Sequence, residues 1–394
     1  MSTPLSGLTI IDMTRLLPGP ATTMHLVDFG ADVIKVEDTG AGDYMRSFPP
    51  TVAIGGRAVN PAFEAVNRGK RSIAINLKSD EGCEVLLQLV DRADALIEGF
   101  RPGVLERLGV GWSVLHARNP RLVLCSLSGY GQTGPLSQRA GHDLNYIAMT
   151  GVLDQIRVDG KLAIPNLQIG DLLGGTLSAL STMLMALLGA QRTSLGAHVD
   201  VAMTDGLLAH HFFPHASVDS GVDPVAEQTL LTGGVACYRI YLTSDNRALA
   251  VGALELKFWQ AFCDAIGLSE LRSRHWELGE TPGSPAAMET VERVTQRIAQ
   301  HTLEHWLRVF AAVDACVTPV LTPAEALAHP HHSARNLVHR ERGVSEVGPL
   351  AHVNVPTWAS RAAPSAGQHT CAVLTELGYS EEQVRQMTDA GIVK

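Results

Sequence analysis

The chain has 394 residues, 45% apolar and 18% charged, which is enough for a sizeable core and rules out extended disorder. Lys and Arg total 31 against 40 Asp and Glu, a net charge of −9 with no basic run, which argues against nucleic-acid binding. The length exceeds what one hydrophobic core commonly supports, so two domains are expected.

The six cysteines, Cys83, Cys125, Cys237, Cys263, Cys316 and Cys371, are far apart and form no CxxC pair. They read as reduced thiols, which points to the cytoplasm. Met1-Ser2-Thr3-Pro4 begins no charged and then apolar leader, so no signal peptide is expected.

In chain order, Leu8–Asp12 reads as a strand, Gly19-Pro20 starts a helix to about Phe29, and Ala31–Glu37 is a second strand. That alternation predicts a parallel sheet with helices against it. Ser72–Leu77 is another strand, after which Ser79 reads as an N-cap with Asp80 and Glu81 in the first turn. Ala93–Ile97 and Leu122–Leu127 continue the pattern. No turn carries GxGxxG or GxxxxGK[ST], so neither a dinucleotide nor a nucleoside-triphosphate site is indicated.

Leu172–Gln191 carries no charge and is long enough to cross a bilayer. Gly174, Gly175, Thr176, Ser178, Ser181 and Thr182 dilute it, so it reads as a buried core helix, with no membrane expected. His198–Met203 follows as a strand and Asp205–Phe213 as a helix. After a loop from Gly221 to Gly234 come strands at Tyr238–Leu242 and Ala248–Val251. Amphipathic helices at Phe258–Ile266, Met288–Gln300 and Leu303–Val313 complete a smaller domain. Pro323–Pro364 reads as a long return connection, and Gln368–Ile392 ends in a short helix. The expected division is 1–220, 221–325 and 326–394, the last segment rejoining the first.

Two clusters have the makings of chemistry. Gly141-His142-Asp143-Leu144-Asn145-Tyr146 sets a histidine beside a carboxylate after the turn Gly129–Pro135. Asp171 follows Gln168-Ile169-Gly170 where the apolar helix begins. Each alone is read as readily as a helix cap. Together, a neutral His and a carboxylate facing one site suit proton abstraction and return at a carbon. Arg68, Lys70, Arg71 and Arg101 are either solvated charge or a grip for a polyanion such as a nucleotide diphosphate. His210-His211 and His329-Pro330-His331-His332 lack HExxH spacing, so no metal site is expected.

These residues also carry a resemblance. The chain resembles the family III CoA-transferase superfamily, and within it the α-methylacyl-CoA racemases, almost end to end. The matching segments include Pro18-Gly19-Pro20, Gly30–Glu37, Asn67–Ser72, Phe100–Val104, Asn119–Leu122, Ser128–Pro135, Val251–Glu255 and Leu377–Ser380. The resemblance implies an α/β fold: a Rossmann-like large domain built from both chain ends, a small α+β domain, and two chains interlocked as a homodimer.

Gly141–Tyr146 matches the racemase Gly-His-Asp-Ile/Leu-Asn-Tyr motif, and Asn166-Leu167-Gln168-Ile169-Gly170 leads to the position of its carboxylate. The resemblance thus implies His142 and Asp171 as acid/bases on opposite faces of an acyl-CoA α-carbon, with a thioester enolate between them. It implies Glu255 as the residue orienting the histidine. It further implies binding of the CoA thioester by Asn67, Arg68, Lys70, Arg71, Arg101, Gly141, Asp143, Asn145 and Tyr146, with no cofactor beyond the CoA of the substrate. Asp38-Thr39 stands where the family has a CoA-contacting Arg-Pro, a contact either lost or taken by Arg46. Leu172-Leu173 replaces the Phe-Gly that often follows the racemase carboxylate.

The alternative is a CoA-transferase, in which Asp171 is a nucleophile passing through a mixed anhydride and an aspartyl-CoA thioester. That branch has no need of His142, and Leu231-Thr232-Gly233-Gly234 resembles a shortened form of its glycine loop. A CoA-binding subunit without catalysis is a third reading, which the intact pair His142 and Asp171 opposes.

Overall fold

The computed structural model describes residues 3–394 apart from residues 55, 341 and 354–358. Six strands form one sheet: β1 (Thr9–Met13), β2 (Asp32–Glu37), β3 (Arg71–Ala74), β4 (Ala95–Glu98), β5 (Val123–Ser128) and β6 (Ala197–Ala202). Their order is β6-β5-β4-β1-β2-β3, and every neighbouring pair is parallel. Central strands covered on both faces are apolar nearly throughout, as Ile10-Ile11 and Leu96-Ile97 are, all with no exposure. The chain starts in the middle, runs outward through β2 and β3, and returns to place β4 on the other side of β1. That reversal leaves a crevice at the carboxyl ends of β1 and β4, where ligands bind in sheets of this kind.

The helices of this unit that matter here are α1 (Pro18–Asp28), α2 (Asp80–Val90), α3 (Asp143–Met149), α4 (Gly170–Thr193) and α5 (Met203–His210). Ser79 caps α2 by accepting the Gly82 N–H at 3.1 Å, as its sequence context predicts. The first turns of α4, Gly170–Leu177, are π-helical, a wider winding that is frequent at functional sites. The expectation that α4 is a buried core helix is corrected. Ala179, Met183, Leu187 and Ala190 form its one buried stripe, whereas Leu184, Leu188 and Met185, the last 69% exposed, face outward. Period-3.6 packing covers one face of a helix and leaves the other to something else.

In the second unit, β7 (Tyr238–Leu242), β8 (Ala248–Gly252) and β9 (Val317–Pro319) form an antiparallel sheet. With them are α6 (Leu256–Ala265), α7 (Pro285–Ile298) and α8 (Leu303–Phe310). Trp259 and Trp306 anchor this core, each indole N–H satisfied by a carbonyl, of Leu271 at 3.0 Å and Ile298 at 2.9 Å.

The first unit comprises Met1–Thr150, Asn166–His210 and Pro330–Lys394, the second Gly151–Pro165 and His211–His329. This differs from division at 220 and 325. The Gly151–Pro165 excursion joins the second unit because Glu227 accepts the Asp159 and Gly160 N–H groups, at 3.1 and 2.7 Å, and Gln155 donates to the Pro224 carbonyl.

The return segment is more structured than a connection. Pro323–Ala328 and Pro330–Ala334 are helical, Val338–His339 pairs with Glu346–Val347, and part of the segment, 354–358, lies outside the described residues. Two helices follow, α9 (Thr370–Leu377) and α10 (Glu381–Asp389), where the sequence predicts one. Val373, Leu374, Val384 and Val393 enter the same core as Ile11, Ile73 and Leu96. The tail also covers the β3 edge, where the Asn76 N–H donates to the Ile392 carbonyl at 2.8 Å. Leu374→Ala is therefore expected to lower stability by about 2–5 kcal/mol, read from the denaturant midpoint. An unchanged midpoint would contradict the tail's place in this core.

Candidate active site

Loops leaving β1, β4 and β5 wall a cavity of about 560 Å³ at the crevice, and His142, Tyr146, Asp171 and Met203 complete its lining. The β1 wall stands on buried charge. Asp12 Oδ1 accepts the Thr14 N–H at 2.9 Å, and Lys35 Nζ donates to the Thr14 carbonyl at 2.8 Å. Lys35 pairs with Asp43 at 3.0 Å, and Asp43 Oδ1 accepts the Leu16 N–H at 3.2 Å. Leu16 is held at φ 63°, a left-handed conformation rare for a leucine.

The opposite wall is the turn into α3. His142 is the extended N-cap of α3, exposed, with its N–H donated to Asn145 Oδ1 at 3.0 Å. Tyr146 is buried and donates its hydroxyl to the Gly141 carbonyl at 2.6 Å. A Cβ at Gly129 or Gly141 would stand 2.4 or 2.7 Å from Tyr146 Cε1, so glycine at both positions lets the ring lie against the backbone. This packing fixes where His142 leaves the chain.

Asp171 opens α4, and its N–H donates to Asp143 Oδ1 at 3.0 Å. That bond joins the two motifs. Gly170 permits it, since a Cβ there would meet the same oxygen at 3.1 Å. Burial, and then the charge of Asp143, push the Asp171 carboxyl up to about 6, against a smaller opposing effect of His142. Such a group exchanges a proton readily near neutral pH.

Of the residues expected to hold CoA, Arg101, Gly141 and Tyr146 line the cavity. Asp143 and Asn145 serve the backbone bonds just described. Asn67, Arg68, Lys70 and Arg71 do not line it, and their partners are internal. Arg68 pairs with Asp28 at 2.5 Å, and Arg71 with Asp32 at 2.5 Å and Glu376 at 2.8 Å. Lys70 has no exposure and donates to Asp12, Asn67 Oδ1 and the Pro20 carbonyl, each at 2.9 Å. Arg46 is held by Glu37 at 2.6 Å and the Pro364 carbonyl at 2.8 Å.

The sequence reading missed Arg15 and Arg139, which line the cavity with Arg101. Arg15 stands two residues beyond the end of β1, which at this crevice was the available signal. Arg15 pairs with Asp38 at 2.7 Å. Glu255 belongs to the second unit, where its carbonyl receives the Phe258 and Trp259 N–H groups at the start of α6. Among the described residues, no three His, Cys, Asp or Glu side chains gather as a metal site.

The family model for CoA-transferase family III matches residues 5–370. The chain is 33% identical to α-methylacyl-CoA racemase of Homo sapiens, over 99% of this chain and 97% of that protein. It is 37% identical to acetyl-CoA:oxalate CoA-transferase of Acetobacter aceti, over 68% of each. The crystal structure of a CaiB/BaiF family protein from Brucella suis superposes with a TM-score of 0.83 at 28% identity, covering 96% of this chain and all of that one.

Two tests follow from this geometry. Lys70→Ala strands a buried carboxylate and is expected to lower stability by about 3–5 kcal/mol, measured by denaturation. Lost CoA binding at unchanged stability would instead return Lys70 to the substrate site. For Asp171, the carboxyl ionises at its ordinary 3.8 when unfolded and near 6 when folded, so its ionisation costs stability as pH rises through that window. Asp171→Asn should therefore melt above wild type at pH 8 and level with it at pH 4, as melting curves can show. A variant less stable at pH 8 would contradict the assigned environment.

Proposed function

Because the chain belongs to CoA-transferase family III, we propose that it is a racemase interconverting 2-methylacyl-CoA thioesters by proton transfer at the α-carbon. One observation carries this reading: His142 and Asp171 line one cavity, tied together through Asp143, with the Asp171 carboxyl raised to about 6. One group takes the α-proton, the thioester carbonyl becomes an enolate, and the other returns a proton to the opposite face. Poised acid/base groups contribute roughly 10²- to 10⁴-fold each.

The enolate oxygen needs donors, and first-turn N–H groups of a helix have no intrahelical partner. Each donor placed for that oxygen in advance is worth about 3–4 kcal/mol. Arg101, with Arg15 and Arg139, receives the CoA phosphates. CoA enters and leaves as part of the substrate, and no further cofactor takes part. Glu255 orients His142 from a second copy of the chain. That copy also covers the exposed apolar face of α4 at Leu184, Met185 and Leu188. The six unpaired cysteines suit a reducing compartment such as the cytoplasm.

CoA transfer is the second reading, supported by the likeness to acetyl-CoA:oxalate CoA-transferase. There Asp171 attacks the thioester carbonyl, expels CoA as thiolate and forms an anhydride, which CoA then reopens. The two readings part at His142. His142→Ala is expected to cut α-proton exchange by at least about 100-fold while leaving CoA affinity, measured by calorimetry, unchanged. Exchange at the wild-type rate would contradict the two-base assignment.

A further inference from the structure

On one face of the large sheet, behind the cavity, polar side chains from three adjacent strands stand in a row. Glu98 of β4 is in register with Ser126 of β5, and the Ser126 hydroxyl lies 2.9 Å from His198 Nε2 of β6. Trp112 closes the row, stacked on the His198 ring with centroids 5.6 Å apart. Glu98 is 4% exposed. Burial, and then the charges of Glu106 and Asp200, push its carboxyl up to about 7, while Ser126 and the Phe100 N–H oppose that shift. A carboxyl buried near like charges is costly, and an apolar side chain would fill the same space more cheaply.

Its use is visible in the turn that follows. Glu98 Oε2 accepts the Phe100 N–H at 2.7 Å. Phe100 packs on the core, and the next residue is Arg101, whose carbonyl accepts the Val104 N–H at 3.1 Å as the chain leaves the turn. Arg101 reaches the cavity from that turn, and no ion pair engages it among the described residues. We infer that Glu98 is a positioning residue for Arg101, its buried carboxyl fixing the turn at Phe100 and so setting where the guanidinium meets the phosphates of CoA. The inference rests on the reading of the substrate as a CoA thioester.

The test is calorimetric titration of CoA into the full-length protein and into Glu98→Ala, Glu98→Gln, Arg101→Ala and the Glu98→Ala/Arg101→Ala pair. Glu98→Ala is expected to weaken CoA at least about tenfold. Glu98→Gln, whose carboxamide oxygen still accepts the Phe100 N–H, should restore affinity to within about threefold of wild type. The double variant should bind no more weakly than Arg101→Ala alone, because the effect passes through Arg101. In turnover, Glu98→Ala should raise KM and leave kcat nearly unchanged. Effects that multiply, or a fall in kcat at constant KM, would overturn the inference. If Glu98→Ala does not fold, Glu98→Leu, which fills the same space without an acceptor, substitutes for it, with a loss expected that vanishes in the Arg101→Ala background. A wild-type protein that binds no CoA overturns the substrate reading together with this one. CoA binding indifferent to Glu98→Ala overturns this one alone.

Discussion

Four charged side chains without exposure, Asp12, Lys35, Asp43 and Lys70, hold the β1 wall of the cavity in place. Charges in such a position are tolerated only when each finds its partners, and here they do. Asp12 takes Lys70, the Thr14 N–H and the Thr23 hydroxyl, while Lys35 takes Asp43 and the Thr14 carbonyl. Burial pushes the Asp12 carboxyl up, and Lys70 and Lys35 reverse the effect and carry it below its ordinary range. The chain leaving β1 is thereby fixed at Thr14 and Leu16 on both sides of Arg15.

The other wall depends on close approach rather than on charge. Gly174 and Gly175 bring the start of α4 against α5 and α1, since a Cβ at either would stand 2.3 Å from the Met203 carbonyl or 2.9 Å from Pro18 Cβ. Pro18 begins the helix that follows the charge-supported loop, so the walls meet there. Asp171 is delivered from this junction, His142 from the Tyr146 packing, and the Asp143 bond sets one against the other. The proposed proton transfer requires a pair held in advance in this way.

Much of this was legible in the sequence where cause and effect lie close together. Strands buried on both faces announce themselves as apolar runs, and the Ser79 cap needs only the three residues after it. The placement of His142 and Asp171 at helix starts was legible because each sits in a local motif. What stayed hidden was partnership at a distance. Nothing near Arg68, Lys70 or Arg71 shows that Asp28, Asp12 and Glu376 neutralise them, across separations of 40, 58 and 305 residues. The allegiance of Gly151–Pro165 depends likewise on Glu227. The α4 helix has the composition of a core helix, and composition does not tell a buried face from an exposed one.

The central claim is that this cavity exchanges a proton at a carbon. The most direct measurement incubates the wild-type protein in D₂O with a single-configuration 2-methylacyl-CoA and no added carboxylic acid, following the α-carbon by mass spectrometry and chiral analysis. The account predicts deuterium at the α-carbon together with loss of configuration. Retention of both hydrogen and configuration across a panel of branched acyl-CoAs would contradict it and leave Asp171 as the nucleophile of a CoA transfer.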